Sequence, residues 1–337
     1  MEPKNPGATD TSTSEKTENI TQDYETFSCY HFSAIDFEIA DICLGWYILI
    51  CVLNALFSIA ASLANLLVLV AIRRTPSLHS PSNAFLSGLA LSDLGVGVIV
   101  HPLFFAQMLG KVTQNKDIFC EAGITVEVTA NALCIISLLT VIAVSLDRYL
   151  ALRLHLRYKE FITIKRVIIV LVIIWIIGAF SGTLWLYKPD MVKGNAIIII
   201  LVCFSAASFC YFQIYRVVSR HYHREVKLKC SLEQGGTREQ TMNMASFTSQ
   251  ALSTFWVYCS IIVCYLPYLC VVAAITQTSL TLGIRFAYDT TATLVFINSS
   301  LNPLVYCWRL QDIRNAVRKT SKLFVQCRSN NTINTSG

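Results

Sequence analysis

Seven long blocks of apolar residues constrain the fold of this chain more than any other feature. Each is about as long as the roughly 17–25 residues with which a helix crosses a bilayer. Only 14% of the 337 residues are charged, whereas about 25% is usual for soluble domains. The sequence therefore predicts an all-α membrane protein, a seven-transmembrane helix bundle. Its spans 1 to 7 are Leu44–Ile72, Ser82–Leu109, Val128–Leu146 with a less apolar lead-in from Ile118, Val167–Tyr187, Ala196–Tyr215, Ala251–Ile275 and Thr290–Trp308.

The charged residues outside the spans indicate how the chain is oriented in the membrane. The segment before span 1 contains nine Asp and Glu residues but only two lysines. Lys and Arg concentrate instead in the connections after spans 1, 3 and 5 and in the segment after span 7. The positive-inside rule places these basic segments in the cytoplasm and the amino terminus outside, which an odd number of spans allows. We therefore expect a multi-pass plasma-membrane protein, with no nucleic-acid partner despite the net charge of +6.

The segments that flank the spans divide the chain into four regions. Residues 1–43 are predicted to be a disordered extracellular segment, because their composition is polar and acidic. Residues 44–308 form the transmembrane domain. Residues 309–326 are predicted to form a short amphipathic cytoplasmic helix (helix 8) on membrane lipid, because apolar residues recur there at helical spacing among bases. Residues 327–337 remain as a cytoplasmic tail.

Two sequence patterns predict covalent modification, and one pair of cysteines is a candidate disulfide. Asn19 opens an Asn-Ile-Thr sequence, which accepts N-linked glycans on the outer side of the membrane. Cys327 follows the basic amphipathic stretch, a setting typical of palmitoylation. Most of the 13 cysteines lie in the spans, where they are small packing residues. Near the outer face, Cys29 and Cys120 are able to form a bridge, but sequence alone does not fix the connectivity.

Polar side chains inside the spans mark candidate functional positions, because ionisable groups in a bilayer are costly. Asp93 lies in the middle of span 2, and side-chain oxygens are expected at the same depth on Asn65, Ser137, Asn298 and Asn302. A single carboxylate among such oxygens suits a small hard cation, and a hydrogen-bonded polar core without an ion is an equal alternative. His101 is the only histidine in a span. It is predicted to be a hydrogen-bonded structural group.

Five motifs occur in order along the chain, each on a different span. They are Leu89-Ala90-Leu91-Ser92-Asp93, Ser145-Leu146-Asp147-Arg148-Tyr149, Trp175, Cys264-Tyr265-Leu266-Pro267 and Asn302-Pro303-Leu304-Val305-Tyr306. Together with Asn65 in span 1, these motifs resemble those of the rhodopsin-like (class A) G-protein-coupled receptors over residues 44–327. The resemblance implies that an extracellular ligand opens a cytoplasmic cleft for a heterotrimeric G protein, with arrestin as a further partner.

The resemblance also implies roles for individual residues. The switch residues for G-protein coupling would be Asp147, Arg148, Tyr149, Tyr211, Asn302, Pro303 and Tyr306, with Tyr215 as the alternative to Tyr211. A second group matches the sodium pocket of the family: Asp93, Ser137, Asn298 and Asn302. A sodium ion would therefore be an allosteric ligand, and no other cofactor is expected.

Several departures from the family pattern narrow the resemblance. The connection Tyr187–Asn195 lacks the cysteine that most members carry there, and Cys203 replaces the usual proline of the fifth helix. Tyr265 replaces the usual tryptophan of the sixth helix. A short, cysteine-free loop and a proline-free fifth helix are similar to those of the melanocortin, cannabinoid and lysolipid receptors, and the melanocortin receptors are the preferred comparison.

The family pattern also disfavours some ligands. Phe296 stands where opsins carry the retinal-binding lysine, and Ala130 stands where amine receptors carry an aspartate. Glu127 is the acid that remains near this position, and it shares one helical face with Asn131. The expected ligand-binding residues are Glu127, Asn131, Tyr265 and Asp289.

These residues favour a cationic small molecule or a basic peptide, bound directly or through a divalent ion as in the melanocortin receptors. In the alternative interpretation, Glu127 reaches the outer water or pairs with Lys111, Lys116 or Arg285. A secondary transporter is the alternative function, with Asp93 as an ion or proton site. No internal repeat of the kind found in transporters is visible. Enzymatic activity is not expected, because no catalytic group of His, Ser or carboxylate residues converges.

Overall fold

The computed structural model describes residues 28–29, 32–33, 35–154, 157–231, 238–278 and 280–334. Nearly all of these residues are helical. The helices that contain spans 1 to 7 are, in order, Leu44–Arg74; Pro81–Gly95 continued through a π-helical turn Val96–Val100 into His101–Val112; Lys116–Leu154; Ile164–Tyr187; Pro189–Ser231; Arg238–Gln277; and Leu282–Arg309. Shorter helices occupy Ile35–Ile42, Pro76–Leu78 and Tyr158–Phe161, and a last helix runs over Gln311–Asn334.

Six of the described helices are long and apolar enough to cross a membrane, namely those of spans 1 to 6. The helix of span 7, Leu282–Arg309, has 28 residues. It is less apolar because its buried face carries polar side chains, including those of Asn298, Ser299 and Asn302. This helix packs against those of spans 1, 2 and 6 and completes the bundle. The predicted seven-helix architecture is confirmed.

Span 3 occupies the centre of the bundle. Its helix contacts those of spans 2, 4, 5 and 6. Two glycines let the helix of span 4 approach it closely, because a Cβ atom at Gly178 would lie 2.8 Å from the carbonyl oxygen of Ala132, and one at Gly182 would lie 2.6 Å from that of Val128. Small residues allow such contact between membrane helices. The inward face of span 3 is therefore held in register with its neighbours.

The N-terminal segment departs from the prediction that residues 1–43 are disordered. Ser28–Cys29 and Phe32–Ser33 form a small antiparallel pair of strands, and the helix Ile35–Ile42 packs against the helices of spans 1, 2 and 7. The helix is ordered because it buries apolar side chains, including Phe37 and Ile39. Cys29 also forms a disulfide with Cys120, which settles the connectivity that the sequence left open.

The C-terminal helix Gln311–Asn334 is longer than the predicted segment 309–326. It follows span 7 and packs against the helices of spans 1 and 7, where Ile313 and Ala316 are buried. The predicted boundary at residue 326 is therefore wrong, because helical geometry continues through the polar residues beyond it. Two predicted modification sites remain predictions. Asn19 lies outside the described residues, and the side chain of Cys327 is not among those described.

Candidate functional site

A cavity of about 60 Å³ lies inside the bundle, enclosed mainly by spans 3, 5, 6 and 7. One face of the span 3 helix lines it with Glu127, Ala130, Asn131, Cys134, Ile135 and Leu138. The helical spacing of Glu127 and Asn131 predicted that these two share a face, and both line the cavity. Small-molecule sites usually measure about 300–1,000 Å³, so a ligand of ordinary size requires the cavity to widen.

Glu127 supplies the charge of this cavity. No other residue described as lining it is a Lys, Arg, Asp or Glu. The Tyr288 hydroxyl donates a hydrogen bond to Glu127 Oε1 over 2.7 Å. The Tyr288 ring contacts the ring of Tyr268, and both line the cavity. Glu127 therefore lies in the wall of the cavity, as predicted, with a tyrosine hydroxyl that orients its carboxylate.

Two further predicted residues line the same cavity. The Asn131 amide donates to the backbone carbonyl of Glu127 over 2.8 Å, which fixes its side chain along the helix. Tyr265, which is buried on span 6, closes the deeper part of the cavity beside Cys134. The structure thus brings Glu127, Asn131 and Tyr265 together.

Asp289, the fourth residue expected to bind the ligand, lies outside the described wall of the cavity. Its carboxylate accepts hydrogen bonds from Lys111 Nζ at 2.5 Å and from the Tyr47 hydroxyl at 2.9 Å, and Arg285 Nη2 lies 3.6 Å away. Asp289 is only 1% exposed and does not appear in the cavity wall. Its charge is compensated by the two cations, so it is a structural group. Of the bases considered as partners of Glu127, Lys111 pairs with Asp36 and Asp289 instead, whereas Arg285 lies close enough to Glu127 to interact with it electrostatically.

Asp36 of the N-terminal helix completes this network. It lies 3.3 Å from Lys111 Nζ and forms an ion pair with the guanidinium of Arg285. We call Asp36, Lys111, Arg285 and Asp289 the ionic cluster. Its two cations and two carboxylates are all buried, so they compensate each other in a setting where an unpaired charge would be costly. No described group of three His, Cys, Asp or Glu side chains is able to hold a metal ion, so the alternative of a ligand bound through a divalent ion finds no support among these residues.

Asp93 lies deeper in the bundle and is fully enclosed. Asn302 Nδ2 donates to Asp93 Oδ2 over 2.7 Å, and the Ser137 hydroxyl donates to Asp93 Oδ1 over 3.4 Å. Asn65 instead donates to backbone carbonyls of Ala61 and Ser299. The predicted polar centre therefore forms, with two of the four expected partners bonded directly to the carboxylate.

His101 fits the structural role predicted for it. Its Nδ1 atom lies 2.8 Å from Asn54 Oδ1, and both residues are buried. It therefore joins spans 1 and 2.

Arg148 lies at the opposite end of the bundle from the N-terminal helix, and it is 6% exposed. Its guanidinium donates to Asp147 Oδ2 over 2.5 Å. The same carboxylate group accepts from the Tyr158 hydroxyl at 2.5 Å and from the Ser82 hydroxyl at 2.8 Å. Asp147 therefore holds Arg148 against span 3 while it also anchors the short helix Tyr158–Phe161.

No role for Tyr158 was predicted from the sequence. Burial and the nearby charge of Asp147 raise the pKa of its phenol, so the hydroxyl keeps its proton and remains a donor. No spacing rule connects Tyr158 with Asp147, because the two lie on different elements. An aromatic residue in a short basic loop was the only signal available.

The remaining predicted switch residues surround the inner half of span 3. The Ser145 hydroxyl donates to the Tyr211 hydroxyl over 3.1 Å, while Tyr215 is 70% exposed, so Tyr211 is the inward-facing tyrosine of span 5.

Tyr306 is buried, and its hydroxyl has no hydrogen-bond partner among the described residues. The Tyr149 hydroxyl accepts from Arg153. Pro303 lies inside the helix of span 7, beside Asn302.

Comparison with known proteins agrees with this geometry. The sequence profile of the family described as "7 transmembrane receptor (rhodopsin family)" matches residues 64–196 and 188–306. The fold is similar to that of squid rhodopsin, with a TM-score of 0.72 over 84% of this chain and 87% of that one, at 16% sequence identity. The match to rhodopsin concerns the fold alone.

Several curated receptors are similar in sequence. Human trace amine-associated receptor 9 is 24% identical over 286 residues, which cover 77% of this chain and 81% of that receptor. Mouse 5-hydroxytryptamine receptor 1B is 29% identical over 182 residues, or 54% of this chain and 45% of that receptor. The gorilla form of receptor 1B is 31% identical over 146 residues, or 43% of this chain and 36% of that receptor.

None of these matches supports the transporter alternative, and the likeness to melanocortin receptors stays a prediction. The relatives are receptors, as the motifs on spans 2, 3, 4, 6 and 7 indicated. The profile match, the fold and the geometry around Arg148 lead to one conclusion. The chain belongs to the rhodopsin family of seven-transmembrane receptors, the class A G-protein-coupled receptors.

Proposed function

We propose that this receptor lies in the plasma membrane with its N terminus outside, binds a cationic small molecule or peptide in the Glu127 cavity, and activates a heterotrimeric G protein. The observation that carries the ligand class is the position of Glu127, the one charged side chain described in the cavity wall. A carboxylate in a mostly apolar cavity favours a ligand cation that donates hydrogen bonds to it. Arrestin is expected to share the cytoplasmic surface with the G protein.

The named relatives favour the same charge. Their names identify receptors for 5-hydroxytryptamine and for trace amines. Ala130 stands where the family's amine receptors carry an aspartate, and it lines this cavity. Glu127 is three residues earlier on the same helix, which places it about one turn closer to the extracellular end. The carboxylate therefore meets a cation nearer the mouth of the cavity, a position that suits an amine on a larger ligand or a basic peptide side chain.

Glu127→Gln tests this assignment, because it keeps the shape and removes the charge. We expect agonists from a panel of organic cations to lose about tenfold or more in potency, since a hydrogen bond to a charged group contributes about 1.5–3 kcal/mol. The measurement is agonist-stimulated G-protein activation at equal surface expression. Glu121→Gln is the matched control, because Glu121 is an exposed acid on the same helix outside the cavity. Equal potency of the two variants would show that the ligand does not contact Glu127.

We further propose that Asp93 and its neighbours hold a sodium ion. Buried amide oxygens of Asn65, Asn298 and Asn302 have no hydrogen-bond partner among the described residues, while Asp93 supplies a negative charge beside Asn302. Oxygen atoms of this kind suit a hard cation. When bound, the ion neutralises Asp93. The residues themselves join spans 2, 3 and 7 through the Ser137 and Asn302 bonds.

At the cytoplasmic end we propose that the Asp147–Arg148 pair holds the receptor inactive. Tyr158 and Ser82 keep the Asp147 carboxylate in place, so Arg148 stays folded against span 3. Activation frees Arg148 to bind the G protein. A movement of the helices then brings the buried hydroxyls of Tyr211 and Tyr306 together. Arg148 thus has two competing arrangements, one paired with Asp147 and one bound to the G protein, and the receptor switches between them.

Tyr158→Phe tests this restraint because it removes a single hydroxyl. Loss of one hydrogen bond to the Asp147 carboxylate, worth about 1.5–3 kcal/mol at most, is expected to raise ligand-independent signalling several-fold. The measurement is basal G-protein activation against receptor number at the cell surface. Tyr187→Phe is the control, because Tyr187 is an exposed tyrosine at the end of span 4. Basal signalling equal to that of the unmodified receptor would argue against a restraining role for Tyr158.

A further inference from the structure

The N-terminal helix Ile35–Ile42 is connected to the ligand cavity through charged groups. Asp36 is 1% exposed and contacts Lys111 and Arg285. The Arg285 guanidinium also lies over the Tyr288 ring, 5.2 Å from its centroid. The Tyr288 hydroxyl donates to Glu127 inside the cavity. A continuous set of contacts therefore runs from the N-terminal helix to the carboxylate that is proposed to bind the ligand.

A second set of contacts fixes the same helix to the start of span 3. The Phe37 ring is fully buried and meets the Phe119 ring edge to face, with centroids 5.1 Å apart. The Cys29–Cys120 disulfide joins the preceding strand to the residue after Phe119. The ionic contacts hold the helix to spans 2 and 7, and these contacts hold it to span 3. The segment is thus attached to spans 2, 3 and 7.

The two carboxylates of the ionic cluster belong to different segments of the chain. Asp289 belongs to span 7 and stays with the bundle, whereas Asp36 leaves whenever the N-terminal helix leaves. With the helix docked, Lys111 and Arg285 are balanced by both acids. Without it the two bases lose one of the two carboxylates of the ionic cluster. A buried cation without its counterion is unfavourable, so the two bases then attract another carboxylate.

We propose that Lys111 and Arg285 form a carboxylate-binding subsite that Asp36 occupies in cis, and that this contact holds the N-terminal helix as a lid over the Glu127 cavity. A ligand or peptide that carries a carboxylate would compete with Asp36 for the subsite and open the lid. The contracted cavity of about 60 Å³ is the state expected beneath a closed lid. This inference rests on the proposed function only in taking the cavity as the ligand site.

Chemical labelling of Cys134 measures entry into the cavity without any known ligand. Cys134 lines the cavity and reacts as a thiolate. With 2-aminoethyl methanethiosulfonate its sulfur forms a disulfide with the aminoethylthio group, the S–S bond of the reagent breaks, methanesulfinate leaves, and the thiol proton passes to water. The Cys134→Ser variant gives the background from other cysteines. If Cys134 proves unreactive, the Ala130→Cys, Cys134→Ser variant places the thiol nearer the mouth.

Asp36→Ala is expected to speed this labelling by at least about tenfold, the factor that corresponds to about 1.4 kcal/mol of lost lid contact. Glu38→Ala is the matched control, because Glu38 is an exposed acid on the same short helix.

Alanine at position 36 also leaves room for acetate beside Lys111 and Arg285. Sodium acetate is therefore expected to slow the labelling of Asp36→Ala relative to sodium chloride at equal concentration, with no such difference in Glu38→Ala.

Two results would overturn the proposal. Labelling of Asp36→Ala at the rate of Glu38→Ala would show that Asp36 does not hold a lid, and equal rates in acetate and chloride would show that the bases do not select a carboxylate. If Asp36→Ala does not reach the cell surface, the Cys29→Ser, Cys120→Ser variant releases the other tether and should also label faster than the unmodified receptor. An unchanged rate there would equally contradict the lid. None of these rates depends on whether agonists contact Glu127.

Discussion

Arg148→Ala is expected to reduce G-protein activation by at least about a hundredfold, to near the level of cells that lack the receptor. The loss is large because the guanidinium that is removed is the group proposed to engage the G protein. Folding should survive, because Asp147 retains its hydrogen bonds from Tyr158 and Ser82. Surface expression is therefore expected to remain close to that of the unmodified receptor.

Nucleotide exchange on purified G protein, at matched receptor number, measures this effect directly. Arg153→Ala is the control, because Arg153 is an exposed arginine on the same helix whose guanidinium contacts Tyr149. We expect that control to retain most of its activity. Normal exchange with Arg148→Ala at equal expression would mean that Arg148 is not the coupling switch.

Asp289→Asn is expected to destabilise the receptor by about 3–5 kcal/mol, the usual cost of leaving buried charges without their partner. Asp289 contacts Lys111, Arg285 and the Tyr47 hydroxyl, and the substitution removes one of the two carboxylates that balance the buried cations of the ionic cluster. Surface expression and the thermal midpoint of the purified receptor should both fall. Agonist potency per surface receptor should change far less than it does in Glu127→Gln.

Asp117→Asn is the matched control for this substitution, because Asp117 is exposed at the start of the span 3 helix. We expect its thermal midpoint to stay close to that of the unmodified receptor. Thermal unfolding followed by a thiol-reactive or tryptophan signal provides the measurement. If Asp289→Asn were as stable as the control yet lost agonist potency, Asp289 would be a ligand-binding residue instead of a structural one.

The sequence was sufficient to predict the parts of the receptor that depend on periodicity within one helix. Glu127 and Asn131 were expected on one face of span 3, and both line the cavity. Such a prediction succeeds because a helix fixes the relative direction of its own side chains. Asp93 and Asn302 lie on different spans. They were expected together because of their common depth in the membrane and the family resemblance, and the two are bonded.

Contacts between distant segments could not be predicted in the same way. An acid near the outer end of a span is a typical ligand residue, so the sequence favoured that role for Asp289. Its role depends instead on Lys111 and Asp36, which lie on two other helices. The N-terminal segment looked disordered because its polar composition conceals the apolar side of the helix Ile35–Ile42. Tyr158 became important only through the packing of a short loop helix against Asp147.

The charge preference of the cavity tests the central claim most directly. Labelling of Cys134 is compared for cationic 2-aminoethyl and anionic 2-sulfonatoethyl methanethiosulfonate, each rate divided by that for a free thiol in solution. A single carboxylate several ångströms away in a partly buried site should favour the cation by at least about tenfold, and Glu127→Gln should abolish that preference. Equal corrected rates for the two reagents, or a preference that persists in Glu127→Gln, would contradict a cavity whose ligand is selected by the charge of Glu127.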